Sequence, residues 1–176
     1  LWESPGLVLR STFAAATLPL AVLTGTYTAF LFAQAEGRDM WQSQATPLHM
    51  GSQTLFLGGA GLILTHLVAP LDATLLKWVV HLTQAGIILS TVVIFAGEFA
   101  VPRASEVAAQ AVREIKKGAY RKHFWYGGIA IGHVFALLCG VLSFSWGIYG
   151  MAICSAVGVF YYEMAFVMAP QRIANS

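Results

Sequence analysis

Between Ser11 and Ala35 the chain carries no charged side chain. At about 1.5 Å per residue such a run crosses a hydrocarbon core of about 30 Å with length to spare. Four more apolar runs follow, roughly 51 to 69, 75 to 99, 124 to 144 and 147 to 168. Between the first two, Glu36-Gly37-Arg38-Asp39 returns the chain to the headgroup level, with Trp41 there too. Gln42 to Met50, with Pro47 and His49, reads as a polar loop. Pro70-Leu71-Asp72 reads as a tight turn, and Val101-Pro102 stops the third run. From Ser105 to Lys117 the pattern becomes amphipathic, with Val107, Ala111 and Ile115 on one side and Arg113, Glu114 and Lys117 elsewhere. A short helix over roughly 105–117 lying in the membrane surface is expected, with Ser105 as N-cap and Gly118 as C′ residue. The predicted fold is all-α: a single polytopic transmembrane bundle over 1–176, with about five spanning helices plus the interfacial one.

The runs are not uniformly greasy. The first contains Thr17, Pro19, Thr24, Gly25, Thr26, Tyr27 and Thr28. Proline frees a carbonyl and hydroxyls bond backbone where water is absent, so this helix is expected to pack among others. Gly58-Gly59-Ala60-Gly61 thins the second run. Gly128, Gly132, Ala136 and Gly140 form a small-residue stripe along the fourth, which favours close helix approach. Leu1 to Leu9 reads as extended or turn, with Trp2 as an interfacial anchor.

Composition agrees: 57% of the 176 residues are hydrophobic and only 10% charged, where a soluble domain carries about 25%. A net charge of +2 gives no reason to expect nucleic acid. Eight of the ten basic residues, Arg38, Arg103, Arg113, Lys116, Lys117, Arg121, Lys122 and Arg172, fall on one side, leaving Arg10 and Lys77 on the other. The positive-inside rule makes that side cytoplasmic, with the N-terminal end outside and the C-terminus inside. Cys139 and Cys154 form no CxxC and indicate neither a disulfide framework nor a thiolate metal site. They could be neighbours across a hairpin turning near Trp146, as buried free thiols. No cleavable signal peptide is visible, and an opening Leu suggests a piece of a longer chain.

Ionisable residues at membrane depth are expensive and stand as functional candidates. His66 and His81 flank the Asp72 turn at matching depth. They suit a quinone carbonyl, a proton relay or a haem, or else backbone and headgroup bonding. Gln84 lies one turn from His81 and can share its site. His133 sits mid-span and must bond a ligand, a proton relay or another helix. Glu163 either carries a proton or is paired, which points to proton handling or subunit packing. Glu98 reaches water near its helix end. No nucleophile–base set, phosphate loop or metal cluster is visible.

The stretches PLAVLTGTYTAFLFAQAEGRDMWQS, TPLHMGSQTLFLGGAGLIL, WYGGIAIGHVFALL and MAPQRIANS together resemble the NrfD/PsrC family of polysulfide-reductase-like integral membrane subunits, in the later half of that fold. The resemblance implies a haem-free subunit in the bacterial inner membrane. It would pass electrons between the quinone pool, menaquinone or ubiquinone, and an iron–sulfur subunit serving a molybdenum enzyme or multihaem cytochrome. Such a subunit is a component of an oxidoreductase complex rather than an independent enzyme. Family quinone pockets belong largely to the earlier bundle, so His66, His81 and Gln84 rest on depth and chemistry alone. Two alternatives remain open at this point: a b-type haem anchor, for which only His66 and His81 offer matched depth, and a non-redox anchor or proton pathway through His133 and Glu163.

Overall fold

The computed structural model describes residues 5–100, 105–142 and 146–174. Helix α1 is Pro5–Ala33, α2 Thr46–Thr65 and α3 Ala73–Val92, and α3 continues as a wider π-helical segment, π1, over Val93–Phe99. Helix α4 is Glu106–Lys116. The next rod begins as a π-helical segment, π2, His123–Phe135, and ends as α5, Ala136–Val141; α6 is Gly147–Gln171. Every regular element among the described residues is therefore a helix. Trp2, Val101, Pro102 and Arg103 lie outside them, as does the side chain of Glu98.

Two helices begin earlier than the apolar pattern suggests, each at a proline. Pro5 opens α1, and Pro47 occupies the first turn of α2, where a missing N–H costs nothing. The supposed loop residue His49 thus stands inside α2. Elsewhere the ends follow side-chain capping: Asp72 Oδ1 accepts from the N–H groups of Thr74 (2.9 Å) and Leu75 (3.2 Å), and Ser105 Oγ accepts from Ala108 N–H (3.1 Å). Gly118 N–H closes α4 on the Arg113 carbonyl at 3.0 Å. Between α1 and α2, Gly37 takes φ 70°, the left-handed region that glycine enters freely.

Among the described residues four stretches are long and apolar enough to span a membrane: Val8–Ala33, Ala73–Gly97, His123–Val141 and Gly147–Gln171. Helix α2 falls short of the expected fifth because His49, Ser52, Gln53 and Thr54 crowd its first half. It can be polar there because it packs against α1, α3 and α6 and buries that half among them. Helix α1 packs against its own chain only near its C-terminal end. Most of it is exposed within the chain, and only its end is held, with Gly25 against Thr54, Ala29 buried and Phe32 against Trp41 and Phe166. Its hydroxyls bond their own helix instead: Thr12 to the Val8 carbonyl, Thr17 to Phe13, Thr24 to Leu20 and Thr26 to Val22.

The glycine stripe does pack. A Cβ on Gly132 would lie 2.5 Å from Gly158 Cα, so π2 and α6 meet backbone to backbone there, while Gly128 faces Tyr162 and Gly140 faces Met151. Trp41 is buried against the protein, and its Nε1–H donates to the Phe166 carbonyl at 3.1 Å, tying the first connection to α6. Ala108, Ala111 and Ile115 bury the apolar face of α4 on α6 and π2. Arg38 donates to the Ile173 carbonyl at 3.2 Å, so α4, Arg38 and Arg172 mark one basic end and Asp72 the other. Cys139 and Cys154 are free, half-buried thiols packed against one apolar cluster.

Candidate functional site

At the basic half of the bundle α2 and α6 share a polar cluster. Residues 49 and 53 are one helical turn apart and so project from one face of α2. His49 is 0% exposed, and its Nε2 lies 3.3 Å from Glu163 Oε1; Gln53 Nε2 donates to the same oxygen at 2.7 Å. A carboxylate oxygen accepts, so His49 Nε2 is the protonated nitrogen. Its Nδ1 is buried with no hydrogen-bond partner among the described residues. The ring is held between Tyr162, 4.7 Å away, and Phe166, 5.8 Å away. The Glu163 side chain keeps 25% of its surface open. One carboxylate is thereby gripped by two donors on one side and accessible on the other.

Midway along, His133 Nδ1 lies 2.8 Å from the Gly128 carbonyl, five residues back along π2, and Nε2 lies 3.2 Å from Ser90 Oγ on α3. A carbonyl only accepts, so Nδ1 donates and Nε2 accepts from the Ser90 hydroxyl. Phe56 of α2 meets the ring edge-on at 5.8 Å.

At the Asp72 end, His81 and Gln84 do share a contact: His81 Nδ1 lies 3.3 Å from Gln84 Oε1. Gln84 Nε2 donates to the Gly140 carbonyl at 3.2 Å, which fixes the amide so that its oxygen faces the imidazole. His81 Nδ1 therefore donates, and a neutral ring leaves the Nε2 lone pair facing outward. A groove of about 600 Å³ lined by Ala73, Thr74, Lys77, Trp78 and His81 runs along this end of α3. His66 is engaged differently, its Nδ1 accepting Leu71 N–H at 2.7 Å inside the α2–α3 turn.

Sequence reasoning singled out Glu163 but missed both of its partners. The usable signal was Pro47, which starts α2 early enough to put His49 and Gln53 on a helix.

A helical bundle that bonds most of its polar groups at depth within the protein and presents apolar outer surfaces defines an integral membrane protein. The chain belongs to the NrfD family: the model for polysulphide reductase, NrfD, matches residues 3–174. Membership implies a membrane subunit of a quinone-linked oxidoreductase complex. No curated protein and no solved structure matches the chain.

Proposed function

We propose that this chain is the quinone-interacting subunit of its complex. It would exchange electrons between menaquinone or ubiquinone and an iron–sulfur subunit that in turn serves a molybdenum enzyme or multihaem cytochrome. The bilayer is a bacterial inner membrane, with the basic end cytoplasmic and the Asp72 end outside. The observation that carries the reading is the open face of α3 beside His81, where Thr74, Lys77, Trp78 and His81 line one side of a surface depression. Its volume of about 600 Å³ suits a quinone head, and the Trp78 indole, 69% exposed, offers a flat face to a ring. A bound quinone supplies two-electron, two-proton chemistry. The outward Nε2 lone pair of His81 accepts a hydrogen bond from a quinol hydroxyl. Gln84 holds that tautomer, and Gly140 holds Gln84. His66 stands at the same end, its Nδ1 taken by the turn. At the other end Glu163, with His49 and Gln53, is the proton-handling group, and His133 is the polar residue between the two.

The test uses the purified complex containing this chain. His81→Ala is expected to lower kcat/KM for quinol oxidation by about 10²-fold, the lower end for losing a positioned acid–base group, with assembly intact. Unchanged quinol kinetics would remove His81 from the site. A reduced-minus-oxidised visible spectrum, read after subunit separation, decides the haem alternative: a b-type band on this polypeptide would overturn the haem-free reading.

A further inference from the structure

The turn joining α4 to π2 carries the densest positive charge in the chain, and its chemistry is separate from the quinone reading. Residues 116–122, Lys-Lys-Gly-Ala-Tyr-Arg-Lys, contain four cations and no acid. The surrounding hydrogen bonds order this turn. Lys117 and Gly118 N–H both reach the Arg113 carbonyl, at 2.8 and 3.0 Å, Tyr120 N–H reaches the Glu114 carbonyl at 3.2 Å, and Trp125 Nε1–H reaches the Lys116 carbonyl at 3.1 Å. The carbonyls that would leave negative charge at the end of α4 are thus occupied. Glu114 is turned back on the turn, Oε2 accepting Ala119 N–H at 3.1 Å, and Glu106 is spent on Arg113 at 3.6 Å. Lys116 lies over the Phe99 ring, 5.2 Å from its centre. Lys117, Arg121 and Lys122 remain exposed, with no acidic partner among the described residues.

Depth identifies the anion. The span His123–Val141 starts one residue after Lys122, so these three cations stand at the level of lipid headgroups. Trp125 and Tyr126, 38% and 68% exposed, follow on the first turn of the span, the amphipathic rings that settle at a membrane interface. We infer that Lys117, Arg121 and Lys122, with Trp125 and Tyr126 beneath them, form a binding site for the headgroup of an anionic phospholipid. A lipid phosphate meets the cations from the membrane side while its glycerol and upper chain lie along the aromatic pair. The apolar face of α4 is already buried on protein, so the lipid fastens this end of the bundle through charge rather than through insertion of α4.

The experiment places the purified complex in nanodiscs of phosphatidylcholine alone, or of equimolar phosphatidylglycerol and phosphatidylcholine, and counts retained lipid by native mass spectrometry. Wild type is expected to retain phosphatidylglycerol in preference to phosphatidylcholine. Each cation removed weakens retention about fivefold, so K117Q/R121Q/K122Q loses roughly a hundredfold. Arg10→Gln, which removes an exposed cation from the other end, leaves it unchanged. Equal retention of the two lipids by wild type, or undiminished phosphatidylglycerol in the triple variant, overturns the assignment. So does loss of a partner subunit from the triple variant with lipid retention intact, which would make the face a protein dock. If the triple variant fails to assemble, Arg121→Gln alone decides by the same fivefold criterion.

Discussion

Glu163 separates packing from proton chemistry, because one oxygen serves both His49 and Gln53 across the α2–α6 contact. Glu163→Leu deletes that acceptor. It strands the Nε2–H of a fully buried imidazole and the amide of Gln53, itself only 6% exposed. A desolvated orphan donor costs about 1–3 kcal/mol, whereas interhelical hydrogen bonds in bilayers average only about 0.6 kcal/mol. His49 has no water to turn to, so the cost lies nearer the first figure, and the two donors together amount to roughly 2–4 kcal/mol. For a chain of this size each kcal/mol moves the midpoint by about 2–4 °C, so Glu163→Leu should unfold about 5–15 °C earlier. Glu163→Gln keeps an oxygen at the same place and should stay within about 3 °C of wild type. It carries no titratable proton, however, and proton movement coupled to quinol turnover should fall by at least about tenfold in proteoliposomes. The assay pairs thermal unfolding of the solubilised complex with proton uptake by the reconstituted one. Wild-type stability in Glu163→Leu would refute the packing argument, and wild-type proton uptake in Glu163→Gln would refute the proton-handling role.

Two further substitutions probe the packing. Gly158→Ala places a methyl 2.0 Å from Gly132 Cα, and backbone cannot step aside; overpacking of about 1–3 kcal/mol should outweigh the roughly 1 kcal/mol that alanine gains in helix propensity. Gly58→Ala meets nothing within 4 Å and should be neutral or stabilising, so equal melting temperatures for the two variants would contradict the backbone contact. His66→Ala removes the acceptor for Leu71 N–H and should cost about 0.5–1.5 kcal/mol in thermal stability. Its KM for quinol should change less than that of His81→Ala, and a larger rise would move His66 into the groove.

The helices were legible because lipid imposes one simple condition: apolar residues for about 30 Å, and hydrogen bonds closed within the helix. The capping residues Asp72 and Ser105 act locally, and Ser105 can be read from its neighbours alone. The stripe Gly128-Gly132-Ala136-Gly140 announces a close partner but not which one, and only packing shows that Gly158 answers it. His49 was obscured for a related reason. Its significance comes from Glu163, 114 positions away, and depends on how α2 turns about its axis against α6. The π-helical segments leave no mark in an apolar pattern, since widening a helix by one residue per turn changes which side chains share a face without changing their composition. The hydroxyls of α1 are ambiguous in the sequence for the opposite reason: Thr12, Thr24 and Thr26 each bond a carbonyl one turn back, so a polar residue in a span does not by itself announce a neighbouring helix.

The contrast between the two buried histidines decides where a proton has somewhere to go. His133 is saturated, with Nδ1 on the Gly128 carbonyl and Nε2 receiving Ser90, and the Phe56 ring stands edge-on beside it. As it stands it stitches π2 to α3, and it can take up a proton at Nε2 only if the Ser90 hydroxyl turns away, since a protonated Nε2 cannot accept. His49 differs on each count. One nitrogen faces a carboxylate, and the other keeps a lone pair that no described residue engages. Glu163 can therefore take up a proton without giving up the bonds that His49 and Gln53 donate to Oε1, and a quarter of its side chain is open. Within the proposed function, proton exchange belongs at Glu163, with His49 and Gln53 holding its Oε1, and His133 serves it by holding the helices in register until the Ser90 bond opens.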